Sequence, residues 1–186
     1  MERKGSVKRV SYDSPVVLTF ALLSLLELVF GYATDGMSKI YFISSSWIGS
    51  VLYIFGHKNL AHYVGNMAFI LLLGPRIEKE YGSLALFAMI VTTAVFTAVS
   101  SFLIFGEGII GASGIVFMMV ILSSMMTMKD DTIHLSFILV LLLWVGKEIV
   151  FSIVPDETSQ FAHIIGGLMG GILGIFASYY QRRKHQ

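Results

Sequence analysis

Apolar residues run along this chain in long blocks, not in the short alternations of a soluble domain. The blocks are Pro15 to Tyr32, Leu60 to Ile77, Leu84 to Phe105, Ala112 to Met128, Ile133 to Ile153 and Phe161 to Tyr180. A bilayer core is about 30 Å thick and takes roughly 20 apolar residues per helical crossing, so the pattern predicts six transmembrane helices. Turn and charge signals separate them: GPRIEKEYGS at 74 to 83, FGEGIIG at 105 to 111, KDD at 129 to 131 and VPDETSQ at 154 to 160. One connection is long, Ala33 to Asn59, and it is semi-hydrophobic with Trp47 and several tyrosines. Such a segment is expected to lie in the membrane interface and not to cross it.

Composition agrees with an all-α membrane protein. The 186 residues are 55% hydrophobic and 13% charged, which leaves no room for a soluble domain beside six spans. The expected organisation is an N-terminal segment over 1–14, a six-helix domain over 15–181 and a basic tail over 182–186. With no cysteine, disulfides, thiol nucleophiles and cysteine-ligated zinc are excluded. A net charge of +1 gives no reason to expect a nucleic-acid partner. Where the charge falls is more informative. Arg3, Lys4, Lys8, Arg9, Arg76, Lys79, Lys129, Arg182, Arg183 and Lys184 share one side of a six-span arrangement, whereas Lys39, Lys58 and Lys147 fall toward the other. The positive-inside rule then puts both termini in the cytoplasm, with the chain multi-pass in the cell membrane. MERKGSVKR before the first block resembles the start of a secretory signal. The block is long, however, and ends in GYATDG without a small-x-small cleavage site, so it reads as a retained span.

Polar side chains inside the spans are few: Glu27, His62, Asn66, Ser113, Lys147, Glu148 and His163. Such residues are costly in hydrocarbon and tend to mark function. His62 and Asn66 are four apart and so share one helical face, with His57 just ahead of that helix. His163 opens the last span and is followed by Gly166, Gly170 and Gly174 on one stripe, which lets another helix approach at backbone distance. Counting at ~1.5 Å per residue from the basic end puts Ser113 roughly 24 Å, His62 roughly 21 Å and His163 roughly 27 Å up the membrane. Three helices therefore deliver a serine, a histidine and a His/Asn face to one level, in the outer third. Other readings exist: GASG as a packing motif, the histidines as a proton path, Asn66 as interhelical glue. Glu27, Lys147 and Glu148 sit near outer ends, where they can snorkel or pair with the long connection. His134 and His185 lie near the cytoplasmic face.

A serine hydroxyl becomes a nucleophile when a base takes its proton, and a histidine of near-neutral pKa is the usual base. Ser113 and His163 suit these roles. Attack on an amide makes an oxyanion, for which Asn66, His62 and the backbone N–H groups of Ala112 and Ser113 are candidate donors. The helix starting near Ala112 adds partial positive charge at that point. Gly111 and Gly114 allow a sharp bend and close approach. No carboxylate falls at a depth that would orient His163, so the set reads as a dyad.

These residues bring the chain close to a known family: it resembles the rhomboid intramembrane serine proteases over nearly its whole length. The resemblance rests on H-x4-H-x3-N as His57, His62 and Asn66; G-x3-E-x3-G as Gly74, Glu78 and Gly82; GxSG as Gly111, Ala112, Ser113 and Gly114; and A-H-x2-G-x3-G as Ala162, His163, Gly166 and Gly170. It implies a rhomboid-like six-helix bundle with Ser113 as nucleophile and His163 as base. His62, Asn66 and the amides near Ser113 would form the oxyanion hole. It further implies transmembrane segments of other proteins as substrates, membrane lipid as surroundings, and neither cofactor nor metal. Two positions depart from the family. Trp47 is followed by Ile48 where the family often has arginine, and the aromatic expected against the catalytic histidine, often tyrosine, is Phe117. Two alternatives stand beside the protease: an inactive relative that binds membrane clients, and a small transporter or metal channel lined by His57, His62 and His163.

Overall fold

A computed structural model of the chain describes residues 11–34, 49–106, 109–127 and 160–184, with isolated positions between 135 and 142. Among the described residues there are helices and no strand. In chain order they are α1 (Pro15–Ala33), α2 (Gly49–Leu52, running into a 3-10 turn over Tyr53–Phe55), α3 (Leu60–Tyr81), α4 (Ser83–Phe105), α5 (Ser113–Thr127) and α6 (Gln160–Lys184). The span expected over 133–153, with Lys147 and Glu148, lies outside the described residues apart from isolated positions. So do His134, His185 and the stretch 35–48 of the long connection.

Helices α1, α3 and α4 are each long and apolar enough to cross a bilayer, and α5 and α6 carry shorter apolar stretches, Ser113–Met126 and Phe161–Ala177. Their outward faces are greasy. Leu84, Leu103 and Leu72 are 82%, 76% and 73% exposed, beside exposed Phe69, Phe102 and Phe176. In water such a surface would drive aggregation, whereas lipid solvates it without penalty. The chain is a membrane protein.

The buried side of each helix follows the helical period. On α4 it is Leu86, Met89, Ile90, Thr93, Ala94, Thr97 and Ser101, each three or four residues from another on the same face. This face meets α5, where the Thr93 hydroxyl approaches the Met118 sulfur at 3.1 Å. It also meets the 3-10 turn, where the Tyr53 hydroxyl donates to the Ala94 carbonyl at 3.2 Å. Tyr53 and Ile54 are buried, so the end of the long connection dips into the bundle. At one end of the molecule the Tyr32 hydroxyl of α1 accepts from the Leu60 N–H that opens α3.

At the opposite end α1 begins with Pro15, whose missing N–H is no loss at a helix start. The preceding residue, Ser14, makes no side-chain cap. The cap comes instead from α3: the two carboxylate oxygens of Glu78 accept from Val16 N–H at 3.0 Å and Val17 N–H at 3.1 Å. Glu78 is buried, so its charge is held by these two donors and the positive end of α1. One turn earlier, a Cβ on Gly74 would stand 2.6 Å from Val17 Cγ2; only glycine lets α1 come this close. Four residues after Glu78, Gly82 takes φ +88 and its N–H bonds to the Glu78 carbonyl at 2.8 Å, which ends α3. The spacing Gly74, Glu78, Gly82 is thus an approach, a cap and a stop.

This corrects the expected connection over 74–83. Pro75 lies inside α3, and the helix runs on to Tyr81, leaving Gly82 alone between α3 and α4. Proline removes one backbone bond but is tolerated in helices of membrane proteins, where neighbours restore the packing. The charged residues Arg76, Lys79 and Glu80 all point outward, while Gly74, Ile77 and Glu78 face inward at helical spacing, so charge here marks an amphipathic end and not a loop.

Replacing Glu78 with alanine should strand the first amides of α1 and lower stability by about 2 kcal/mol or more, with Glu78→Gln roughly halfway between. Thermal unfolding in detergent tests this, and equal midpoints for Glu78→Ala and the parent would refute the cap.

Candidate functional site

Three helix starts and one glycine turn build the site. α3 begins at Leu60, where extended Asn59 caps it by accepting the His62 N–H at 2.9 Å through its side chain. The cap fixes the first turn, which carries His62, and Asn66 follows one turn later on the same face. Just ahead, His57 is buried and bonds through Nδ1 to the Phe55 carbonyl at 3.0 Å, which selects the tautomer with its proton on Nδ1. Its ring lies edge-on to His62 at 5.2 Å and to Tyr63 at 5.4 Å. Burial, reinforced by the neighbouring His62 and opposed by the Phe55 carbonyl, lowers the His57 pKa to about 4. His57 is thus neutral at physiological pH.

Gly111 is where α3 meets the approach to α5. Its φ is +115, a region that side chains rarely adopt, and its N–H donates to the Tyr53 carbonyl at 3.0 Å. A Cβ here would stand 2.7 Å from His62 Cε1, 2.9 Å from His62 Nε2 and 3.9 Å from Asn66 Nδ2. The tips of both α3 side chains therefore converge on this backbone, two residues before Ser113. Asn66 is buried, and its Nδ2 has no hydrogen-bond partner among the described residues. A buried amide donor without an acceptor is costly unless something arrives to accept from it.

Ala112 is fully buried and takes the N-cap position, its carbonyl accepting from Val116 N–H at 3.0 Å. Ser113 is the first residue of α5 and is half-buried. The N–H groups of a first helical turn have no acceptor within the helix and carry partial positive charge.

α6 runs parallel to α5 along a seam of glycines. A Cβ on Gly114 would stand 3.2 Å from the Ala162 carbonyl oxygen, and one on Gly166 would collide with the Gly114 carbonyl. Further down, a Cβ on Gly170 would meet the Met118 carbonyl oxygen at 2.6 Å, and one on Gly174 the Met125 sulfur at 2.5 Å. The backbone contact Gly114–Ala162 joins the residue after Ser113 to the residue before His163. One turn after Ser113, on the same face, the Phe117 ring packs on the His163 ring at 4.6 Å between centroids, the planes tilted by 44°. His163 is buried. Ser113 and His163 thus stand on adjoining faces of two helices in backbone contact, and His62, Asn66 and Ala112 gather around Gly111 beside them.

Among the described residues, no group of three His, Asp or Glu side chains is arranged to hold a metal ion. Glu27 is half-buried on α1. The sequence reading missed Tyr53, which ties Gly111 through its carbonyl and α4 through its hydroxyl; buried, its phenol titrates well above the usual range. A buried tyrosine at the end of a connection gives no periodic signal, so nothing in the chain marked it.

With this geometry in view, comparison with known families is direct. The model of the Rhomboid domain matches residues 44–180, more than half of the chain. The protein belongs to the rhomboid family. No curated protein matches it.

Gly111→Ala should force His62 off its position and strain the turn, lowering the thermal midpoint in detergent; an unchanged midpoint would show that the close contact is unimportant. His57 supplies a pH signature. Its pKa is lower folded than unfolded, so the unfolded chain binds the extra proton and stability falls as pH drops from about 6.5 toward 4, by up to roughly 1.4 kcal/mol per unit. Thermal midpoints measured across that range should slope for the parent and flatten for His57→Phe; matching slopes would reject the assignment.

Proposed function

We propose that the protein is an intramembrane serine endopeptidase that cuts transmembrane segments of other proteins through a Ser113–His163 dyad. The observation that carries this reading is the packing of Phe117, one turn beyond Ser113, on the His163 ring, beside the Gly114–Ala162 backbone contact. Nothing but glycine-level separation divides the two helices there.

In this reading His163 takes the proton from the Ser113 hydroxyl as Oγ attacks the scissile carbonyl carbon. Charge moves onto the carbonyl oxygen, where His62, the unpartnered Asn66 Nδ2 and the free amides at the start of α5, next to Ala112, donate to it. The C–N bond breaks, and His163 passes its proton to the departing amine. Water then attacks the acyl-enzyme ester as His163 accepts its proton; the ester C–O bond breaks, and His163 returns that proton to Ser113 Oγ. The Phe117 ring holds the imidazole through this cycle without offering a hydroxyl. Low dielectric strengthens each of these charge interactions, and half-buried Ser113 remains reachable.

The distribution of basic residues supports an orientation with both termini in the cytoplasm of the cell membrane, so that cleavage falls near the outer end of the substrate segment. Arg76 and Lys79 project at the end of the bundle where α1 begins, away from Ser113.

A fluorophosphonate should label the wild type and neither Ser113→Ala nor His163→Ala. Both variants should lose cleavage of a model transmembrane substrate in liposomes by at least a thousandfold while keeping the parent's thermal midpoint. Cleavage that persists in Ser113→Ala would end the proposal, and a parent chain that neither cleaves nor takes the label would leave a client-binding relative as the better reading.

A further inference from the structure

α4 touches both halves of the site along one stripe. Thr97, Ser101 and Phe105 follow one another at four-residue spacing on it. The Thr97 hydroxyl oxygen lies 3.8 Å from where a Cβ on Gly114 would stand, next to Ser113. Ser101 is buried one turn on. Phe105 ends the helix, and its ring meets Phe161 edge-on, with centroids 5.2 Å apart and planes at 79°.

The two aromatics occupy pivotal places in the chain. Phe161 is the second residue of α6 and stands two positions before His163. Phe105 directly precedes Gly106, whose φ of +69 closes α4 in a left-handed turn and sends the chain toward Gly111 and Ser113. Phe105 is 56% exposed, so no core encloses its ring. Lipid solvates a lone phenyl ring as well as another ring does, and what the pair adds is its specific edge-to-face geometry.

We propose that the Phe105–Phe161 pair is a positioning clamp that holds the start of α6, and with it His163, in register with the start of α5 and Ser113. The clamp rests on the dyad reading, but it acts through backbone placement and touches no reacting atom. Phe105 fixes the departure point of the segment leading to Ser113, and its ring grips the segment leading to His163. Thr97, lower on the same stripe, lines the Gly114–Ala162 contact, so α4 serves as a straightedge for both helices.

The chain has no cysteine, which permits a test that does not depend on catalysis. In a Ser113→Cys/His163→Cys protein, the rate of oxidative disulfide formation reports how often the two positions meet. Adding Phe105→Ala or Phe161→Ala should slow it roughly three- to tenfold, in line with the energy of an edge-to-face pair. Both together should be no slower than either alone, because each removes the same contact. Phe105→Tyr, which keeps the ring, should stay within twofold of the parent. In the otherwise unaltered chain the same alanine variants should lower kcat and fluorophosphonate labelling by a similar factor, with KM changed less than twofold. Phe105→Leu, which keeps apolar bulk and the parent's thermal midpoint, should behave like alanine, separating ring geometry from stability. Unchanged cross-linking in the alanine variants, or losses that multiply in the double variant, would overturn the clamp. If cross-linking slows as expected while Ser113→Ala still cleaves, the clamp stands and the protease reading fails.

Discussion

The backbone contact between α5 and α6 is the constraint on which the rest of the site depends. In water, two helices are pushed together by the release of solvent from apolar surface. In a bilayer that push is absent, and close van der Waals packing has to replace it. Gly114, Gly166, Gly170 and Gly174 provide that packing by removing the side chains that would stand between the helices. Four contacts spread over several turns also oppose sliding, because a shift of one residue in one direction would bring Ile165 and Met169 against the carbonyls that Gly166 and Gly170 now face. Register then follows from sterics, and register decides whether the face carrying Ser113 and Phe117 meets the ring of His163.

The other end of the site needs a different device, because α3 supplies long polar side chains and not a bare backbone. Here the close partner is Gly111, whose positive φ and missing side chain let the His62 ring and Asn66 amide come within contact of the main chain. That turn is held from behind by the Tyr53 carbonyl, and α3 is held in turn by the Asn59 cap and by Glu78 across the bundle. The Glu78 carboxylate, bonded to Val16 and Val17, and the Leu60 N–H, bonded to the Tyr32 hydroxyl, lie at opposite ends of α3, so one helix is fixed at both ends by bonds to chain segments far away in sequence. A helix pinned in this way has little freedom to tilt, which keeps His62 and Asn66 at the Gly111 turn.

Much of this was legible in the residues, and for a physical reason: glycine stripes and apolar blocks are periodic, and period is what a sequence displays. The spacing of Gly166, Gly170 and Gly174 announced close helix approach, and the four-residue interval between His62 and Asn66 announced a shared face. The long-range ties were not legible in the same way. Glu78 reads as one charge in a charged stretch, and its partners are 61 and 62 residues away. Nothing local distinguishes a carboxylate that caps another helix from one that faces water. The turn and charge signals of GPRIEKEYGS misled for the opposite reason, since a Gly-Pro pair and a run of charges read as a loop in water but can continue a helix at the end of a membrane bundle. Tyr53 escaped notice because its backbone carbonyl, which any residue possesses, makes one of its two contributions.

Phe117 shows how the same physics explains a departure from the family pattern. The ring at this position packs on the imidazole of His163 in a tilted contact at 4.6 Å, which restricts how the imidazole can turn. A tyrosine would hold the ring equally well but would also bring a hydroxyl that needs its own partner wherever it is buried. Phenylalanine keeps the orienting contact and avoids that requirement. The Phe117 ring is thus one contact that orients His163, in a seam that the glycines keep close.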